Sequence, residues 1–321
     1  MSNQDETPFV SEIVDSVRSR LHSSVETPED TLDKHTTNND FFRTDGFGEA
    51  FERKVISTQI PGYDDLRHII STFAAQTICD SHAERSAASI IDLASGSGGD
   101  LFRTISQIIL GTPKQSNNFR YGDDSREIVS GIHYDGFDNS DELFRTFDQR
   151  LNDLVRVLEL DEHRPNVQNH MADVIEVFGE QYDSPFDFHD FIRAVSGKTD
   201  LVVSNLLLQF LSIIDRPFIV RSIHEALRPG GVFLFVEKTA PNNVQTATSF
   251  RNLYHDEKRR NGLSEQAIRN KEATLHANSF MNPLTVAGNI ELLEQGGFDR
   301  RNIDIIWKNL HFTAFVARKE A

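Results

Sequence analysis

From about Ala88 onward, short apolar runs alternate with stretches of helical periodicity, the pattern of repeated β-α units and of a parallel sheet covered by helices. The runs are Ser89 to Leu93, Ile128 to Phe137, Val167 to Ala172, Leu201 to Ser204 and Val232 to Val236. Each is short enough for a strand buried on both faces. Helices are expected at Gly99 to Ile109, Ser140 to Leu158, Arg216 to Leu227 and Pro283 to Gln295; Arg228-Pro229-Gly230-Gly231 ends the third, because Pro and Gly punctuate helices. Asn302 to Trp307 and His311 to Ala317 read as an antiparallel hairpin. The expected fold class is therefore α/β, a doubly wound, mostly parallel sheet with an antiparallel last strand. Asn242 to Ser279 is a charged helical insertion, and Thr112 to Arg126 and Gly179 to Lys198 read as surface insertions.

The first 45 residues break this pattern. They carry ten acidic and four basic side chains and, from Ser23 to Asp40, are mostly Ser, Thr, Asn, Asp and Glu, which predicts a largely disordered tail. Within it Phe9, Ile13, Val17 and Leu21 recur every fourth residue, so Ser11 to Leu21 can form one short amphipathic helix. Such a helix packs on its own domain or docks a partner. Residues 46–321 form the main domain, with its insertion at 242–279.

Charge and composition narrow the function. With 33 basic and 49 acidic residues the formal charge is −16, which disfavours a nucleic-acid coat or a polybasic membrane binder. The single cysteine, Cys79, allows neither an internal disulfide nor a multi-thiolate zinc site, and no metal is expected. The longest uncharged apolar run, around Leu206 to Ile214, is too short to span a bilayer, and the first ten residues are acidic where a signal peptide is basic. The chain is expected to be cytoplasmic and to have no membrane partner.

The most informative segment runs from Ile90 to Asp100, an apolar strand entering a glycine-rich turn and then a helix. Glycine belongs there because a Cβ blocks the close approach of a ligand to the backbone. A Walker phosphate loop needs Lys-Ser or Lys-Thr after its last glycine, and none follows. A dinucleotide fingerprint starting at Gly96 and Gly98 requires a small residue where Leu101 stands. What remains is D-x-x-x-G-x-G over Asp92, Gly96 and Gly98, similar to the first motif of class I S-adenosylmethionine-dependent methyltransferases. Further positions follow in order. Asp138, with Asn139 after it, ends the second run and can accept from ribose hydroxyls, or cap the next helix. Asp173 with the Val174 backbone can read an adenine edge, or be a solvated loop residue. Asn205, at the carboxyl end of the fourth run, lies where open α/β sheets place ligands, though a capping role is equally open.

With these residues the chain resembles the carboxy-S-adenosylmethionine synthase family, a branch of the class I methyltransferase superfamily associated with wobble-uridine modification in bacterial tRNA. The similarity is carried by Phe51-Glu52-Arg53-Lys54-Val55, Pro61-Gly62-Tyr63, Asn205 with Gln209-Phe210-Leu211, Arg228-Pro229-Gly230-Gly231, Glu237-Lys238 and the stretch from Tyr254 to Gly262. It implies a Rossmann-like class I methyltransferase fold, S-adenosyl-L-methionine as cofactor, and a homodimer. It also implies a cofactor site at Tyr63, Ala94-Ser95-Gly96, Asp138 with Asn139, Asp173 with Val174, and Asn205; Asp92 and Gly98 belong to the same turn. Two positions depart from the family. Its turn usually reads Gly-Cys-Ser, and Glu272 occupies the place of the arginine that recognises the extra carboxylate. A carboxylate there loses the two-pronged guanidinium contact, for which neighbouring Lys271 offers only a point charge.

The expected function is methyl transfer to a small, unidentified acceptor. The alternatives are carboxy-S-adenosylmethionine synthesis with prephenate and a non-catalytic cofactor-binding subunit. Tyr254, His255 and Asp256, from the insertion, are candidate acid-base residues, or structural contacts between the insertion and the sheet. His224 is expected to be a solvated helix residue. The basic cluster Lys258, Arg259, Arg260, Arg269 and Lys271 reads as a solvated face or as a handle for an anionic substrate. A nucleic-acid substrate ranks below a small molecule, because phosphate binding calls for a basic face.

Overall fold

The computed structural model describes residues 60–96, 98–110, 125–138, 140–171, 188–277 and 281–321. The tail with its short helix, Asn139, Asp173 and Val174 lie outside them. The described strands are β1 (Ala88–Leu93), β2 (Ile132–Asp138), β3 (Asn166–Met171), β4 (Thr199–Asn205), β5 (Leu227–Lys238), β6 (Ile303–Asn309) and β7 (Phe312–Arg318). They form one sheet in the order β3-β2-β1-β4-β5-β7-β6, with β1 to β5 parallel and β7 antiparallel to both its neighbours. This is a Rossmann-like class I methyltransferase fold. The helices are α1 (Tyr63–Arg85), α2 (Gly99–Leu110), α3 (Ser125–Ser130), α4 (Asp141–Val157), α5 (Phe188–Val195), α6 (Arg216–Ala226), α7 (Val244–Arg260), α8 (Glu265–Ala277) and α9 (Val286–Gln295).

The two-residue period of a strand divides the core between the two faces of the sheet. Val232, Leu234 and Val236 join a cluster with Leu66 and Ile70 of α1, Ile105 of α2 and Phe147 of α4. Phe233 and Phe235, one residue out of phase, join Ile219 and Ile223 of α6 and Leu292 and Leu293 of α9. Phe235 stacks on Phe315 at 5.5 Å, so the antiparallel edge is pinned by aromatic contacts as well as by the ladder.

The amino ends of the strands are closed by charge. Asp200, buried in β4, accepts from Ser81 Oγ and the Ser89 amide, each at 2.8 Å, and pairs with Arg85 and Arg228. The carboxyl ends are left for a site.

The structure corrects several expectations. The run Ile128 to Phe137 is not one strand. Ser125–Ser130 is a helix that buries Val129, and the strand starts at Ile132. Gly131 makes the switch, because a Cβ there would stand 2.8 Å from the Ser86 carbonyl oxygen. Within the supposed surface insertion at 179–198, α5 packs Ile192 into the core and sets Phe191 against Phe137 at 5.1 Å. His224 is not simply solvated: its ring meets Phe298 edge-on at 4.9 Å, and burial lowers its pKa. Among the described residues no helix is long and apolar enough to cross a membrane.

Candidate functional site

The turn after β1 is shaped by its sequence. Ala94, Gly96 and Gly98 all have positive φ (61°, 56° and 77°), and a Cβ on Gly98 would collide with Phe102 and Phe147 at 2.6–2.7 Å. Glycine at 98 is therefore required by both strain and space. Below the turn, Asp92 is 4% exposed and accepts the Tyr134 hydroxyl at 2.8 Å. Burial, and then the Asp92 charge, push the Tyr134 pKa well above its usual value, so the phenol stays a donor. Asp92, which the sequence assigns to the cofactor site, thus lies near the end of β1 with its carboxylate on the Tyr134 hydroxyl.

Asp138, at the end of β2, faces the turn. The Gly96 amide donates to its Oδ2 at 3.0 Å and the Ser140 amide to its Oδ1 at 2.9 Å. The helix-cap role that the sequence left open falls to Ser140, whose Oγ accepts from the Leu143 amide. A carboxylate at the end of this strand is the group type that accepts from ribose hydroxyls in open α/β sheets. Ser95, 6% exposed, completes this side by donating its amide to the Phe137 carbonyl.

Asn205 stands across the switch between β1 and β4, where the strand order reverses. Its Nδ2 donates to Asp100 Oδ2 at 2.8 Å, while its buried Oδ1 has no hydrogen-bond partner among the described residues. A buried acceptor left unpaired is costly, and a ligand donor satisfies it. Asp100 also receives Arg67 Nε at 3.3 Å, and the Arg67 guanidinium lies 5.6 Å from the centre of the Tyr63 ring. Tyr63 starts α1 just after Gly62, whose positive φ fits beneath Asn309; Asn309 Nδ2 holds the Pro61 carbonyl at 3.1 Å. The described site residues thus gather at the carboxyl ends of β1, β2 and β4. Asp100 and Arg67 were missed, because an acidic residue in the first turn of a helix reads as an ordinary dipole partner.

The insertion lies at the end of β5. Tyr254 is buried against Phe312, with ring centres 5.9 Å apart, and its pKa is pushed up by burial and then by Glu272. His255 Nε2 lies 2.8 Å from Glu272 Oε1, and Asp256 pairs with Arg259 at 2.6 Å. Of the three acid-base candidates, Asp256 faces its own helix's arginine at the surface. The Tyr254 ring carries two cations, with Lys258 Nζ 4.1 Å and Lys238 Nζ 5.6 Å from its centre. The side chain of Lys271 lies outside the described ones.

No protein-family model matches the chain. It is similar to the carboxy-S-adenosyl-L-methionine synthase of Staphylococcus epidermidis, 33% identical over 118 residues, covering 37% of this chain and 50% of that protein. The enzyme of the same name from Desulforapulum autotrophicum is 35% identical over 123 residues, covering 38% and 48%. The chain thus spans about half the length of the curated relatives it matches. Similar solved structures include the S-adenosylmethionine-dependent methyltransferase SibL in its apo form (TM-score 0.44, 12% identity, covering 99% of this chain and 71% of that one). Another is human N-acetylserotonin methyltransferase in complex with SAM (TM-score 0.42, 12% identity, covering 99% and 68%).

Proposed function

We propose that the chain is an S-adenosylmethionine-dependent methyltransferase acting on a small acceptor. The observation that carries this reading is the Asn205 Oδ1, buried and, among the described residues, unpartnered at the strand switch opposite the glycine turn. The residues present fit the cofactor. Asp138 would take the ribose hydroxyls, the Ala94-Ser95-Gly96 backbone the methionine end, and Asn205 with Tyr63 the facing wall; Asn139, Asp173 and Val174 complete the set as proposals from sequence. When bound, the cofactor supplies a methyl group already activated on a sulfonium. The chain has to align an acceptor and keep water out, and positioning of that kind is worth roughly 7–11 kcal/mol of barrier.

Carboxy-S-adenosylmethionine synthesis is the second reading, favoured by the curated relatives. Against it stands Glu272, whose carboxylate is 2.8 Å from His255 where the resemblance calls for an arginine. A small acceptor is preferred to nucleic acid because Arg259, Arg260 and Arg269 are already paired with Asp256, Glu257 and Glu265. A cytoplasmic homodimer remains the working expectation.

Native mass spectrometry of the purified protein, followed by denaturing identification of the released nucleoside, tests the reading. Plain S-adenosylmethionine or S-adenosylhomocysteine is expected. The carboxylated cofactor would overturn methyl transfer in favour of the second reading.

A further inference from the structure

The basic residues of the insertion divide into two kinds. Arg259, Arg260 and Arg269 are surface residues with carboxylate partners at 2.6–3.6 Å. Lys258, on the same helix as Arg259, is 3% exposed. Among the described residues no carboxylate stands within ion-pairing distance of its ammonium, or of that of Lys238. Both ammonium groups lie on the Tyr254 ring, at 4.1 and 5.6 Å from its centre. Burial, followed by the charge of Lys238, lowers the Lys258 pKa to about 8.

Desolvated cations persist where something pays for them, and an aromatic face alone supplies only part of that. Glu272 acts on both lysines from beyond contact distance while its own oxygen is engaged by His255. Two ammonium groups, that of Lys258 buried, stand against the single carboxylate of Glu272, and solvent-exposed Arg251 adds to the same positive field. A carboxylate on a ligand offsets that excess.

The place matches an acceptor subsite. Lys238 lies two residues beyond Val236, which is in register with Asn205, and its amide donates to Gln209 Oε1 at 2.9 Å on the loop that follows Asn205. The backbone of Lys238 therefore borders the cofactor crevice on its β5 side, and the shared Tyr254 ring sets Lys258 beside it. We propose that Lys238 and Lys258, held on the Tyr254 ring, bind the carboxylate of a small monocarboxylic methyl acceptor and so set the substrate class. This rests on the methyltransferase reading of the crevice.

The test is calorimetric titration of benzoate, benzamide and inorganic phosphate into the protein loaded with S-adenosylhomocysteine. Benzoate is expected to bind at least about tenfold more tightly than benzamide, since only the anion gains charge-assisted contacts. Lys258→Met and Lys238→Met are each expected to remove that preference while S-adenosylhomocysteine affinity stays within about twofold. Removing a buried, unpaired charge is expected to raise the Tm, so the variants should fold; if one does not, the wild-type preference decides. Benzoate binding no more tightly than benzamide, or a preference surviving in both variants, overturns the proposal. Phosphate binding more tightly than benzoate overturns the choice of a carboxylate. Failure of S-adenosylhomocysteine to bind the wild type overturns the crevice reading itself, whereas its binding without a benzoate preference overturns the acceptor proposal alone.

Discussion

The Gly96 amide donates to Asp138 Oδ2 at 3.0 Å, so the carboxylate closing β2 holds the turn that closes β1. Because the other oxygen takes the Ser140 amide, one side chain orders two loops of the site. Asp138→Ala would release both amides; hydrogen bonds to a charged group contribute about 1.5–3 kcal/mol. Urea unfolding is expected to show a loss in that range, and S-adenosylhomocysteine affinity should fall on the order of tenfold or more. An unchanged affinity in a folded variant would refute the role given to Asp138.

Gly98→Ala tests the turn without touching a polar group. The new Cβ would meet Phe102 and Phe147 at 2.6–2.7 Å, on a backbone with φ of 77°. Strain of this kind costs on the order of 1–3 kcal/mol, so a Tm lower by several degrees is expected, together with weaker cofactor binding. A wild-type Tm would mean that the two rings give way freely.

The sheet and half of the site are legible in the sequence because buried strands and glycine turns leave local signals. Leu201 to Ser204 and Val232 to Val236 are short runs apolar but for Ser204, and their strands are where the runs are. Gly98 follows β1 and Asp138 ends β2, and both are identified by position alone. α1 is not legible in this way. Its buried face includes Ser71, Thr77 and Ser81, and the first two return their hydroxyls to carbonyls one turn back, so no apolar stripe marks it. The contacts of Asp100 with Asn205, and of Lys238 with Tyr254, join positions 105 and 16 residues apart, which only the fold brings together. Lys258 illustrates the same limit: by sequence it belongs with Arg259 and Arg260, and only the packing of α7 buries it.

Glu237 gives stability a pH dependence. It is buried under the loop after Asn205, where its Oε1 accepts the Leu208 amide at 2.8 Å, and burial pushes its pKa up to about 8. Between the ordinary value of 4.5 and about 8 the folded protein holds a proton that the unfolded chain has lost. Stability from this group is therefore complete below pH 4.5 and falls as pH rises to about 8. Glu237→Gln keeps an oxygen for Leu208 and does not titrate. The difference in unfolding free energy between wild type and variant is expected to decline from pH 5 to pH 8, and urea melts across that range measure it. A constant difference would show that Glu237 is ionised throughout.

Glu272→Arg asks how much of the chemistry rests on one position. The glutamate is held 2.8 Å from His255 and moderates the positive potential of Lys238 and Lys258. An arginine there would provide the planar fork that pairs with a carboxylate in two-pronged fashion. It would also place a third cation in a partly buried cluster, so the unliganded variant is expected to be less stable, and the loss should shrink when a carboxylate-bearing ligand is added. If Glu272 is what excludes the carboxylated cofactor, the variant should bind it more tightly than wild type by on the order of tenfold, one charge-assisted pair having been gained. Competition between S-adenosylmethionine and its carboxylated form, read by mass spectrometry of the bound nucleoside, measures that shift. Wild type that already prefers the carboxylated form would mean that the two lysines serve the cofactor, and that a carboxylate on the acceptor is not what they await.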